Sequence, residues 1–335
     1  NDNTSNYTFF STLPGEIKYS GDCDSDNTTA VGEDNNTVTF RKPNSEGGGG
    51  LDEGPHSNCE ISVTTSDNVT SDNLSVSSFT IDITAPTLAE TTLVPSLTND
   101  NVTQYTFSST EGGTFTIGGQ CSNGSDNITV VADNMTVSFA ALPDATYSDC
   151  TITVTDSAGN TVTIDVNSFT IDTTAPILAE VIAVPNRTNS DNASYTFSSD
   201  EIGTITYGGD CSSSSNDNKS VDGDNNIIFN TLAEGTYDNC KISVTDNASN
   251  TSDNLSVSSF TIDKTAPTVT QVTAVPTPDN DTTPDYTFYS TEAGTITYGG
   301  SCSSSDNNTT TNADNNTTIT LQRTNGSVLA DGTTY

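Results

Sequence analysis

The sequence predicts an all-β chain of tandem β-sandwich domains, each of about seven strands. Three observations carry this. The phrase S-F-T-I-D-x-T-A-P occurs at 78–86, 168–176 and 259–267, so Pro86 to Pro176 is 90 residues and Pro176 to Pro267 is 91. That period is too long for a helical or leucine-rich repeat unit and matches one small sandwich of roughly 100 residues. Short alternating runs of Val, Ile, Thr, Phe and Tyr are separated by Asn, Asp, Gly and Ser, the pattern of many strands joined by turns. No stretch carries an amphipathic helical period of useful length.

The repeats align along their whole length. Y-T-F opens a strand at Tyr7, Tyr105, Tyr195 and Tyr286. A G-T-I-T-Y-G-G-like strand ending in Cys follows, then a polar loop and a short strand. A turn of the L-x-x-G-T-Y kind comes next, at 142–147, 232–237 and 329–335. A second Cys stands three residues after the Tyr. Strands are expected near 87–94, 103–109, 113–119, 127–131, 134–140, 146–155 and 161–171. Repeats are expected at 1–84, 85–174, 175–265 and 266–335. The first lacks its opening strand and the last its final two, so the chain reads as a window on a longer protein. Pro86, Pro176 and Pro267 fall where pairing pauses, since proline donates no ladder hydrogen bond.

The cysteines follow the same period. Cys121 to Cys150 and Cys211 to Cys240 are both 29 residues apart; Cys23 to Cys59 is 36, because N-S-E-G-G-G-G lengthens the first repeat. No C-x2–4-C pair suggests zinc. One disulfide per repeat is expected, which implies an oxidising compartment, extracellular or at a cell surface. Closing a loop near thirty residues stabilises a repeat by about 3.6 kcal/mol on a chain-entropy basis.

Forty-four acidic residues face 8 basic ones, for a net charge of −36. This argues against nucleic acid and anionic membrane surfaces as partners, since both need basic patches. No membrane insertion is expected. Such charge repels itself in a compact state, so it is either spread along an extended molecule or neutralised by cations. Successive repeats of the same chain are the expected neighbours. Other copies in a filament, or a surface or glycan target bound through other regions, are further partners.

The turn V-T-D-S-A-G-N places Asp156 and Asn160 between the last two strands of repeat two; V-T-D-N-A-S-N does the same for Asp246 and Asn250. In a hairpin-rich sandwich this turn lies toward the preceding linker. Calcium takes six to eight oxygens from Asp, Asn, backbone and water. The candidate ligands are Asp82, Asp156 and Asn160 at the first joint, Asp172, Asp246 and Asn250 at the second, and Asp263 at the third. The alternative is a plain tight turn, where Asp, Gly and Asn are favoured for backbone reasons. In repeat one Thr65 replaces the Asp and Val69 the Asn.

The D-x-A-G-N turn, the L-x-x-G-T-Y turn and the F-T-I-D-x-T-A-P junction together resemble bacterial Ig-like repeats of large secreted adhesins and surface stalks. That resemblance implies Ig-like sandwiches stacked end to end, calcium at the junction aspartates, and an array that projects an adhesive tip. The expected function is a structural extracellular stalk or filament. Glycan-binding accessory modules, or subunits of a laterally assembled fibre, are the alternatives.

No enzyme is expected. His56 takes the slot of Tyr147 and Tyr237, and nothing supplies a nucleophile beside it. About 22 Asn-x-Ser/Thr sequons occur, Asn27, Asn68, Asn127, Asn192 and Asn316 among them. They are glycosylation candidates if the chain is a coated surface fibre.

Overall fold

A computed structural model describes residues 3–122, 128–306, 309–310 and 315–330. The chain is all-β, built as Ig-like sandwiches. Repeats two and three share one plan. In repeat two, Gln104–Ser109 lies between Leu88–Thr92 and Asn134–Ser138 in one sheet. The facing sheet runs Ile128–Val130, Gly113–Gly118, Thr151–Asp156, Thr161–Asp165, all antiparallel. Apolar residues from both faces interdigitate: Tyr105 and Phe107 from the first, Phe115, Ile117, Ile152 and Val154 from the second. Repeat three repeats this core with Tyr195, Phe197, Ile205, Ile242 and Val244.

Two strands differ from expectation. The run 146–155 divides into Ala145–Tyr147 and Thr151–Asp156, which belong to different sheets. The run 161–171 likewise divides into Thr161–Asp165 and Phe169–Ile171. A third small sheet, Leu97–Thr98, Phe169–Ile171 and Ala145–Tyr147, gathers the displaced halves, its first pair being parallel. The chain changes sheets near Cys150 and Val166, both buried, and at each place the inward alternation slips by one: Tyr147 and Cys150 are inward three residues apart, as are Val166 and Phe169.

Disulfides close Cys23–Cys59, Cys121–Cys150 and Cys211–Cys240; Cys302 is free. In repeat two the bridge lies at the Gly118↔Thr151 end of the central strand pair. The Gly113↔Asp156 end is the opposite pole. Each complete repeat therefore has a cystine pole and an aspartate pole. Three buried disulfides suit an oxidising compartment.

His56 behaves as its slot requires. It stacks on Phe79 with ring centroids 5.3 Å apart, as Tyr147 does on Phe169 at 5.2 Å and Tyr237 on Phe260 at 5.3 Å. Its Nε2 meets the Asp52 carbonyl at 2.9 Å. Tyr147 and Tyr237 donate to the carbonyls of Pro143 and Ala233 in the same way. No helix among the described residues is long and apolar enough to cross a membrane.

Candidate metal centres at the joints

Period-two alternation delivers the first carboxylate. In Thr151–Asp156 the inward residues are Ile152, Val154 and Asp156, so the last core-facing position of the strand is an acid. Lys241–Asp246 repeats this with Ile242, Val244 and Asp246. Asp156 is 6% exposed. Its Oδ1 accepts from the backbone N–H groups of Ala158 at 2.8 Å and Asn160 at 2.9 Å; its Oδ2 accepts from the Asn160 amide at 2.9 Å. The turn needs a left-handed residue: Gly159 has φ +91°, and Ser249 takes the same place at φ +79°.

The linker brings the second carboxylate. Asp82 follows Phe79–Ile81 of repeat one, and the Asn160 side chain of repeat two donates to the Asp82 carbonyl at 3.1 Å. Asn250 makes the same bond to the Asp172 carbonyl at 2.8 Å. Each linker is also tied at both ends. Thr84 donates to Glu53, Thr173 and Thr174 to Asp144, and Thr265 to Glu234, always the acid of the L-x-x-G-T-Y turn. Beyond the proline, the N–H of Thr87 bonds Thr110 Oγ1 and that of Ile177 bonds Asp200 Oδ1.

The third carboxylate is Glu111, and Glu201 at the second joint; neither was expected from the sequence. Each sits in a turn pinned by a buried serine. Ser109 Oγ donates to the Glu111 carbonyl at 2.6 Å, and Ser199 Oγ to that of Glu201 at 2.7 Å. The signal was present as S-x-E after the Y-T-F strand, and repeat four carries it too, with Glu292. Repeat one holds the same turn with Leu13 in the slot. The repeat that lacks the turn Asp and Asn thus lacks the Glu as well.

Asp82, Glu111 and Asp156 offer carboxylate oxygens that all lie within 4.8 Å of one another; Asp172, Glu201 and Asp246 do the same. Asn160 and Asn250 border these groups. Asp263 stands apart from both and faces Arg187, whose Nη1 lies 3.4 Å away. The acids act on one another. Loss of solvent first, then Asp82, Asp156 and Glu53, raise the Glu111 carboxyl above its ordinary range. Loss of solvent, then Asp172, Asp246 and Asp200, do the same to Glu201. For Asp156 burial opposes ionisation, but hydrogen bonds from Asn160, Ala158 and Gly159 outweigh it and lower the carboxyl. Three oxygens this close, with carbonyls beside them, form a hard-donor set of the kind calcium accepts.

Of the sequon asparagines, Asn27, Asn68, Asn192 and Asn316 are exposed, and Asn127 lies outside the described residues.

No family model matches the chain, and no curated protein matches it at a significant level. Among solved structures it is similar to a mutant of Salmonella alpha-2-macroglobulin, with 12% identity and a TM-score of 0.19, over 95% of this chain and 27% of that one. The methylamine-reacted form of the same protein gives 13% identity and a TM-score of 0.18, over 96% and 26%. The chain spans about a quarter of those proteins.

Proposed function

We propose that this chain is a non-enzymatic extracellular stalk or filament segment, whose Ig-like modules are stiffened head to tail by calcium. One observation carries the reading: at two successive joints, one repeat's linker Asp meets the next repeat's loop Glu and strand-end Asp. A cation held this way bonds two modules at once, so its binding energy resists bending at the joint. It also offsets part of the −36 charge where carboxylates of two modules meet. Disulfides close the modules independently of the ion, so removing it loosens joints without unfolding repeats.

The test is titration calorimetry of the full chain with calcium, beside the double variant Glu111→Gln, Glu201→Gln. The reading expects two sites in the parent chain and loss of both in the variant. Binding that is weak, numerous and unchanged in the variant would show only diffuse attraction to an acidic surface.

A further inference from the structure

Asn160 is 1% exposed, yet its amide is unevenly served. Four oxygens surround Nδ2: Asp156 Oδ2 at 2.9 Å, Asp82 O at 3.1 Å, Thr84 O at 3.2 Å and Asp82 Oδ1 at 3.4 Å. An amide nitrogen has two hydrogens, so it cannot satisfy four acceptors. Meanwhile Oδ1, equally buried, has no partner. A buried acceptor left unpaired needs an explanation.

The spacing supplies one. Oxygens that share a cation at about 2.4 Å lie about 2.8–3.4 Å from one another. The amide nitrogen stands at those separations from its four neighbours. An oxygen in that place would be repelled by all four, unless a cation lay among them. A half-turn of the side chain exchanges the two ends of the amide. Asn250 shows the same arrangement in lighter form, with Nδ2 2.8 Å from Asp172 O and 2.9 Å from Asp246 Oδ2.

We infer that Asn160 and Asn250 are two-state residues of these joints. Without an ion the amide NH2 stands in for the cation and holds the linker carbonyl and the strand-end carboxylate together. When calcium binds, the side chain turns over and Oδ1 enters the ion's shell. This rests on the calcium reading above and adds a mechanism to it. The ion-free joint stays assembled but weakly held, ready to accept the cation without refolding of either repeat.

The test follows the side-chain amides of Asn160 and Asn250 by NMR in the full 15N-labelled chain, assigned through backbone connectivities. With chelator, both amide pairs should sit downfield and exchange slowly, as hydrogen-bonded protons do. Saturating calcium should move them upfield and speed their exchange. Asn160→Asp, which offers oxygen at both ends, should bind calcium about tenfold more tightly and be the less stable form without it. Asn250→Asp repeats the comparison at the second joint, should the first variant not fold.

If calcium binds at two sites while both amide pairs keep their shifts and protection, the turnover is wrong and the calcium joint stands. If calcium does not bind at all, the joint reading falls and the turnover with it.

Discussion

Glu111 and Asp82 belong to different repeats, yet their carboxylate oxygens come within 4.8 Å across the linker, with Asp156 completing the group. Like charges so placed oppose each other unless something positive lies between them. This conflict makes the joint sensitive to ions, and it separates the predicted variants by sign.

Neutralising the glutamates should therefore stabilise the ion-free chain while disabling the ion response. Glu111→Gln with Glu201→Gln is expected to melt higher than the parent in chelator and to bind calcium at least about tenfold more weakly. Melting curves with and without calcium check both halves. A variant that melts lower in chelator would contradict the repulsion.

The same glutamates set a pH dependence. Their carboxyls are raised above the ordinary value of 4.5, so they favour the folded state when protonated. That contribution is complete below about pH 4.5 and lost as pH rises through the raised values. Asp156, lowered from 3.8, works the other way and loses its contribution only on further acidification. In chelator, the double Gln variant should exceed the parent at pH 7 and converge with it toward pH 4.5. A gap independent of pH would place its origin elsewhere.

Ser249 marks an unrelaxed position. It holds φ +79° where repeat two has Gly159 at +91°. A left-handed serine costs on the order of 1 kcal/mol, so Ser249→Gly should stabilise repeat three by about that much. This corresponds to about 4–8 °C for a domain of this size. Gly159→Ala should cost repeat two a similar amount. Thermal unfolding of each variant is the check, and a destabilised Ser249→Gly would refute the argument.

Asp144 should control the second joint without touching the acid cluster. It accepts from Thr173 Oγ1, Thr174 Oγ1 and Thr173 N–H, and these bonds, in that order, lower its carboxyl. Asp144→Ala should leave repeat unfolding and calcium stoichiometry unchanged but broaden the angle between repeats two and three. Spin-label distance distributions across the joint measure this directly. An unchanged distribution would leave the linker's stiffness to the ion and to packing alone.

Much of this was legible in the chain, for local reasons. Alternation along Tyr105–Phe107 and Ile152–Val154 reports a half-buried strand whatever its partner, and the cysteine spacing recurs as 29 residues in repeats two and three, with 36 in the lengthened repeat one. The sheet changes left a fainter trace: the inward positions step by three from Tyr147 to Cys150 and from Val166 to Phe169, a one-residue slip easily passed over within an otherwise regular strand pattern. Glu111 and Glu201 were hidden for a different reason: among 44 acidic residues, only the fold distinguishes those at a joint from those in solvent. Their trace was the joint loss in repeat one, where Leu13, Thr65 and Val69 replace Glu, Asp and Asn together.

Small-angle scattering of the full chain would show whether calcium stiffens the array. The chain should be compared in calcium and in excess chelator, with circular dichroism recorded alongside. A longer, stiffer particle is expected in calcium, with an unchanged β spectrum in both states and no response in the Glu111→Gln, Glu201→Gln variant. Scattering that is the same in calcium and chelator, or a β spectrum lost on chelation, would contradict a calcium-stiffened array.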